Sequence, residues 1–229
     1  MTDWLLPTVA AFAATFGGLA GIAVGASLPS TRARILQNEG EAEVRRTLAV
    51  LACRPEYHLM NNITIPYLDG TTQIDHILVS TYGIFVVETK HYTGWVFGDA
   101  RSPEWTQVIY ERKFRFQNPL HQNAKHVRAV RRLLPFVPEE EVRSVVVFSG
   151  GAELKTRMPS NVVLLEHLEA YLGTYSTEVL SLEQVWLCIG RIEHARRAIT
   201  RQTDVEHQAY LEGRRSTRGR GRAEWKGLE

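Results

Sequence analysis

The chain has 229 residues, 44% hydrophobic and 23% charged, which is enough for one globular unit with a full apolar core. A formal net charge of +2 offers no global basic field for holding nucleic acid, so cationic features have to be local. The two cysteines, Cys53 and Cys188, fit neither a metal-ligand spacing nor a disulfide framework, which points to a reducing compartment.

From Trp4 to Thr31 no residue is charged, and the run is mostly Ala, Gly, Val, Leu, Ile and Phe. About twenty apolar residues cross a bilayer core as a helix, and this run is long enough. Pro7 falls near its start, where a missing N–H costs little. Gly17, Gly18, Gly21 and Gly25 give small-residue spacings on which two such helices can pack, so a homodimer is compatible with the pattern. Only Asp3 precedes the run, so the basic segment of a secretory signal is missing. Arg32 and Arg34 follow it, and the positive-inside rule then puts the rest of the chain in the cytoplasm. The expectation is a single-pass anchor over residues 1–31 in the cell membrane. The competing reading is a cleaved or simply buried helix.

Gly40-Glu41 reads as the opening of a helix that runs to Ala52, with Val44, Leu48 and Leu51 near one face. Glu41 lies four residues before Arg45, the spacing of a solvated ion pair. Glu39 and Glu43 also read as solvated. Asn62 to Ile65 reads as a strand, and Asp69-Gly70 is a turn leading into Ile74-Asp75-His76-Ile77-Leu78-Val79. A second turn at Tyr82-Gly83 leads into Ile84-Phe85-Val86-Val87-Glu88-Thr89-Lys90, which makes an antiparallel meander of at least three strands.

Side chains alternate along a strand, so Glu88 and Lys90 share a face with Thr89 opposite. By the same rule His76 lies opposite Asp75 and His91 opposite Lys90, which makes both histidines structural or rim residues. Charged groups at the end of an apolar run are costly to bury unless paired or bound to an ion. Asp75, Glu88 and Lys90 therefore read either as a magnesium site with a cation beside it or as a plain ion-pair cluster at a sheet edge. Hard cations also accept backbone oxygens, which adds the Thr89 carbonyl to the candidate ligands.

Further on, Trp95 to Phe97 and Trp105 to Tyr110 look like short strands flanking Gly98-Asp99. Asn118 caps a helix that has Pro119 at its first position, with Leu120, Ala124, Val127 and Leu134 as its apolar stripe. Arg128 and Arg132 line other faces, and Arg131 interrupts the stripe. Val145 to Phe148, ended by Gly150-Gly151, reads as a central strand covered on both faces, and Val162 to Leu165 repeats the pattern. Strands interleaved with helices give an α/β class, a mixed central sheet flanked by helices. Ser181-Leu182-Glu183-Gln184 satisfies the capping-box rule and opens a helix expected to reach Arg201. From Gly213 onward, Arg214, Arg215, Arg218, Arg220, Arg222 and Lys226 sit among Gly and Ser. That composition predicts a disordered basic end, either solvated or holding nucleic acid or an anionic membrane surface.

Asp75, a hydrophobic hairpin and then Glu88-Thr89-Lys90 resemble the PD-(D/E)XK nuclease core. With Gly40-Glu41 before them and Gly94, Gly98, Trp105 and Asn118-Pro119-Leu120-His121-Gln122-Asn123 after, the order is similar to the NERD (nuclease-related) domain over residues 38–165. The resemblance implies a restriction-endonuclease-like core shared with archaeal Holliday-junction resolvases. It adds Glu41 to the metal carboxylates as the acid carried on a helix. It also matches Gln122 to the family's Gln motif, where it positions water or phosphate unless it is merely a helix-surface amide. The organisation expected is an anchor over 1–31, the nuclease-like domain over 32–172, a helical region over 173–212 and the basic tail over 213–229. The function expected is magnesium-dependent phosphodiester hydrolysis of nucleic acid at the membrane, with DNA ahead of RNA. The alternative is a membrane-bound nucleic-acid-binding or scaffold protein that has lost turnover.

Overall fold

A computed structural model of the chain describes residues 31–197, with side chains from residue 38 onward. The expected anchor (its last residue, Thr31, apart), the expected helical stretch beyond residue 197 and the basic tail lie outside the described residues. Among the described residues no helix is long and apolar enough to cross a membrane.

Helix α1 (Thr31–Leu51) leads into the meander β1 (Tyr57–Tyr67), β2 (Gly70–Ser80) and β3 (Gly83–His91). The chain then makes β4 (Gly94–Phe97), β5 (Glu104–Ile109) and β6 (Arg112–Gln117) before helix α2 (Pro119–Leu133). Strands β7 (Val142–Ser149), β8 (Ala152–Leu154) and β9 (Val162–Leu164) follow, then helices α3 (Leu168–Gly173) and α4 (Leu182–Ala195). Two mixed sheets result. The larger has the order β1-β2-β3-β7-β9 and the smaller the order β6-β5-β4-β8. In the larger sheet the meander is antiparallel, while β7 and β9 run parallel to β3.

Alternation along the central strands explains the layers. On one face of β3, Phe85 and Val87 meet Val44, Leu48 and Leu51 of α1 and Leu168 and Leu172 of α3. On the other, Ile84 and Val86 meet Val127 and Val130 of α2, Leu134 at its C-cap, and Val185, Cys188 and Ile192 of α4. Each such side chain contributes roughly 1.5–3 kcal/mol when fully buried. Residues Val146 and Phe148 of β7 join Val96 and Trp105 of the small sheet in a third core. There Trp105 stacks on Phe148 with centroids 6.0 Å apart and planes within 6°.

The structure departs from the sequence reading at several points. Helix α1 begins at Thr31, so Gly40 lies inside it and not at its start. A glycine is needed there because the helix crosses β3 at close range: a Cβ on Gly40 would stand 2.5 Å from the His91 Cβ. Strand β6 gives no apolar signal because nearly all of Arg-Lys-Phe-Arg-Phe-Gln is exposed on a sheet edge. A single central sheet was expected, and the second arises from the pairing of β4 with β8. Helix α4 has the expected capping box but ends at Ala195, after which the Arg197 N–H donates to the Thr64 carbonyl at 2.8 Å.

One buried amide ties α2 to the sheet. Asn123 is fully buried, and its Nδ2 donates to the Val86 carbonyl at 2.8 Å, Ser144 Oγ at 2.9 Å and the Val145 carbonyl at 3.0 Å. It therefore bridges the parallel pair β3–β7 at the point where α2 crosses it. Replacing it by alanine leaves those groups short of a donor, and an unmet buried polar group costs about 1–3 kcal/mol. We expect Asn123→Ala to lower the urea midpoint correspondingly with an unchanged m-value; an unshifted midpoint would rule out the tie as a source of stability.

Candidate active site

The β2–β3 ladder runs from Ser80 opposite Gly83 to His76 opposite Val87 and stops one pair short of Asp75 and Glu88. The β1–β2 ladder is interrupted at the same level. Asn61 pairs with His76 and Ile63 with Ile74, while Asn62 between them takes the left-handed conformation with φ 52°. Asparagine tolerates that conformation better than most residues. The kink inverts the alternation on both strands: Met60 and Ile63, three apart, enter one core, and so do Ile74 and Ile77. Asp75, freed from regular pairing, turns its carboxylate to β3, where Oδ2 accepts the Thr89 N–H at 2.8 Å. Its side chain thus takes the place of the missing rung.

Glu88 is 2% exposed. Its Oε1 accepts from Lys90 Nζ at 2.6 Å, and the same ammonium donates to Gln122 Oε1 at 3.1 Å. Its Oε2 lies 3.2 Å from His126 Nε2, close enough for ion pairing but without hydrogen-bond alignment. The other ring nitrogen of His126 is held by Thr72 Oγ1 at 2.8 Å. Gln122 and His126 are four residues apart on α2, one above the other. The helix start is fixed by Asn118, whose Oδ1 accepts the Leu120 N–H at 2.9 Å. Its Nδ2 gathers the carbonyls of Asp99, Ala100 and Ser102 from the loop before β5.

The electrostatics separate the two carboxylates. Asp75 is held well above the usual carboxylate range by burial, and the charges of Glu88 and then Glu41 push it the same way; the Thr89 N–H and Lys90 oppose this without cancelling it. Burial alone would raise Glu88 too, but Lys90 and His126 outweigh it and bring Glu88 below its ordinary value. Lys90 is raised, because Glu88 overcomes the burial penalty. The Glu88–Lys90 pair is therefore ionised at neutral pH, and Asp75 is the group that resists carrying charge.

Glu41, on the turn of α1 that Gly40 lets approach His91, is near enough to act on Asp75 through its charge. Thr89 gives its N–H to Asp75, and in an extended strand its carbonyl points to the same side. The structure thus brings Asp75, Glu88, Lys90, Gln122 and the Thr89 backbone together, with Glu41 within electrostatic reach. His76 lies elsewhere: its Nδ1 contacts Asn61 Oδ1 at 2.7 Å. Burial, helped by Arg45 and against Glu88, pushes it down to about 4, so it is a neutral imidazole near pH 7. His91 Nδ1 meets Ser149 Oγ at 2.9 Å on the α1 side. His126 and Thr72 were missed by the sequence reading. The available signal was the spacing Asn118, Gln122, His126, which puts a polar stripe down one face of α2.

The donor set suits a small hard cation. Among the described residues no group of three or more His, Cys, Asp or Glu side chains is arranged to hold a metal by itself. Magnesium does not require one, since it is usually held by one or two carboxylates and keeps several waters. Asp75 and Glu88 supply those carboxylates, and the buried Glu88 Oε2 lacks a hydrogen bond. After burial, repulsion from Glu88 is what raises Asp75 most, and a cation between the two carboxylates would relieve it.

These shifts set a pH dependence. The Asp75 proton is bound more tightly in the folded chain than in the unfolded one, so Asp75 favours the fold at acid pH. That contribution is lost as pH rises from the ordinary carboxylate range through the folded-state pKa. Asp75→Asn keeps an acceptor for the Thr89 N–H and removes the ionisation. In EDTA the variant should therefore melt above wild type at pH 7, with the gap closing toward pH ~4. Magnesium should narrow the gap at pH 7 by stabilising wild type alone. A variant that melts below wild type at neutral pH would refute the assignment of Asp75 as the strained group.

Comparison with known proteins bears on the same region. A family model described as the nuclease-related domain matches residues 36–149, which include every residue of this constellation. An uncharacterised protein of Bacillus anthracis is 35% identical over 181 residues, covering 75% of this chain and 82% of that one. No solved structure matches the chain.

Proposed function

Because the chain belongs to the nuclease-related domain family, we propose that it hydrolyses phosphodiester bonds of nucleic acid with a divalent cation, magnesium first, at a membrane. The observation that carries the reading is the meeting of Asp75, Glu88 and Lys90 where the β2–β3 ladder ends, with Lys90 bonded to Glu88 at 2.6 Å. Asp75 and Glu88 are the residues that would hold the cation, with the Thr89 carbonyl beside them and Glu41 as a nearby acid. A cation bound there supplies polarisation of the phosphoryl oxygen and a lowered pKa for an attacking water.

The remaining roles belong to the chain itself. Lys90 presents an ammonium where negative charge develops on the phosphate, the kind of preorganised donor worth about 10²–10³ in rate. Gln122 is a positioning residue for Lys90 through the 3.1 Å bond to its ammonium. His126 positions Glu88 from the opposite side and is itself fixed by Thr72. DNA is the first substrate to test and RNA the second.

The test is purified full-length protein incubated with DNA and RNA, with and without magnesium. Asp75→Ala and Glu88→Ala should abolish the magnesium-dependent cleavage. Lys90→Ala should slow it by about 10²–10³ even at saturating magnesium, since the ammonium acts on the phosphate and is not a metal ligand. Cleavage by Asp75→Ala at the wild-type rate would assign the activity to another site. Wild-type protein that binds nucleic acid but never cleaves it would leave the non-catalytic scaffold as the function.

The membrane part of the proposal rests on the charge-free run from Trp4 to Thr31 and the arginines at 32 and 34. The full chain is expected to stay in the membrane pellet after alkaline carbonate washing, with its C-terminus facing the cytoplasm. Release by carbonate would remove the anchor from the account.

A further inference from the structure

The small sheet has one face in the third core and one face open. Strand register shows what the open face carries. Trp95 lies opposite Val108 and Glu153, and Val108 lies opposite Lys113. One pair further along, Phe97 lies opposite Thr106, and Thr106 opposite Arg115. Two parallel rows therefore cross the sheet: Lys113, Val108, Trp95, Glu153 and Arg115, Thr106, Phe97. Lys155 follows β8 at the end of the second row, its N–H bonded to the Val96 carbonyl at 2.9 Å. Trp95 is 48% and Phe97 36% exposed, although Val96 between them is fully buried.

A soluble sheet face gains nothing by presenting a tryptophan and a phenylalanine side by side to water. Their spacing along β4, two residues or about 7 Å, suits two successive planar groups. Cations flank them on both sides. Lys155 Nζ stands 5.0 Å from the Trp95 ring centroid. Lys113 and Arg115 are two strands away, about 10 Å at the usual strand spacing. Glu153 pairs with Lys155 at 2.6 Å and Glu104 with Arg115 at 3.7 Å. Both are exposed pairs, which are weak and easily exchanged for phosphate. Three cations against two acids leave the face positive.

We propose that this face, centred on Trp95 and Phe97, is a binding platform for single-stranded nucleic acid. Two unpaired bases stack on the two rings while Lys113 and Arg115 take the phosphates on the β6 side. A base inside a duplex keeps its faces covered by its neighbours, so a shallow platform of rings on a sheet selects unpaired nucleotides. The platform begins five residues after Lys90, a distance of at most about 18 Å of extended chain. The inference deepens the nuclease reading by naming an unpaired strand as the form of substrate, yet the binding does not depend on cleavage.

The test uses the full chain in detergent with EDTA present, so that turnover plays no part. The probes are a fluorescein-labelled twelve-nucleotide oligothymidylate and a twelve-base-pair duplex, read by anisotropy. Wild type should prefer the single strand. Trp95→Ala and Phe97→Ala should each weaken it by about fivefold or more, with duplex affinity and urea midpoint unchanged, and Trp95→Phe should restore most of the loss. The doubly substituted Lys113→Ala, Arg115→Ala, exposed on β6, keeps the test decisive if an aromatic variant fails to fold. It should weaken the single strand and flatten the salt dependence. Alanine variants that bind the oligothymidylate like wild type, an equal loss for the duplex, or no single-strand binding by wild type would each overturn the platform. A wild type that binds through Trp95 yet cleaves nothing would sink the nuclease reading alone, and normal cleavage with unaltered binding by Trp95→Ala would sink the platform alone.

Discussion

A carboxylate buried to 2% exposure survives as a charge only if something holds it, and Glu88 is that carboxylate. Lys90 holds one oxygen and His126 approaches the other, while Gln122 and Thr72 hold those two partners in turn. Three elements are committed by this one requirement. Strand β3 must carry the glutamate and the lysine two residues apart. Helix α2 must present Gln122 and His126 on the turn above them. Strand β2 must reach far enough to bring Thr72 behind the imidazole. The tie from Asn123 to β3 and β7 and the cap at Asn118 fix α2 at the height the chain of contacts needs.

The same arrangement makes two neighbouring carboxylates unlike each other. Glu88 has its counter-charge inside the protein and is ionised easily. Asp75 is raised first by burial and then by repulsion from Glu88 and Glu41, with the Thr89 N–H and Lys90 opposing, and it ionises reluctantly. The site thus gathers three carboxylates, Glu41, Asp75 and Glu88, around one buried ammonium, and the reluctance of Asp75 to ionise is part of how the protein accommodates them. The cation proposed for Asp75 and Glu88 would meet donors already held by backbone and neighbouring side chains. The lysine is held beside Glu88 before any substrate arrives, so its charge is preorganised.

Much of this was legible in the chain. Period-two alternation put Glu88 and Lys90 on one face, and the hairpin at Tyr82-Gly83 put Asp75 opposite them. What escaped had physical reasons. Strand β6 is an exposed edge and therefore carries no apolar period. The second sheet closes through the parallel pairing of Gly94 with Ala152, a contact between residues far apart in sequence that no local pattern encodes. Gly40 reads in the sequence as a helix start, whereas it lies inside α1 and serves a close crossing over His91. No sequence pattern marks His126 or Asn123 as buried. Their burial follows from where α2 lies, which tertiary packing decides. The proposed anchor and the reading of the basic tail rest on composition alone.

The departures from local rules also weigh the two readings of the charged cluster. A surface ion pair needs no special backbone, and Arg115–Glu104 on the small sheet has none. Around Asp75 and Glu88 four departures coincide. Asn62 is left-handed, a glycine sits inside α1, the β2–β3 ladder ends early, and a charge lies in the core. Each lowers stability by itself, and they come from separate segments of the chain. What they share is their place, around the point where Glu41, Asp75 and Glu88 act on one another through their charges. A plain stabilising cluster would be better served by regular pairing and an apolar residue at 88, since a buried ion pair seldom outperforms a well-packed hydrophobic one. Costs concentrated at one spot without a structural return are what a functional site looks like, and they support the cation site proposed for Asp75 and Glu88.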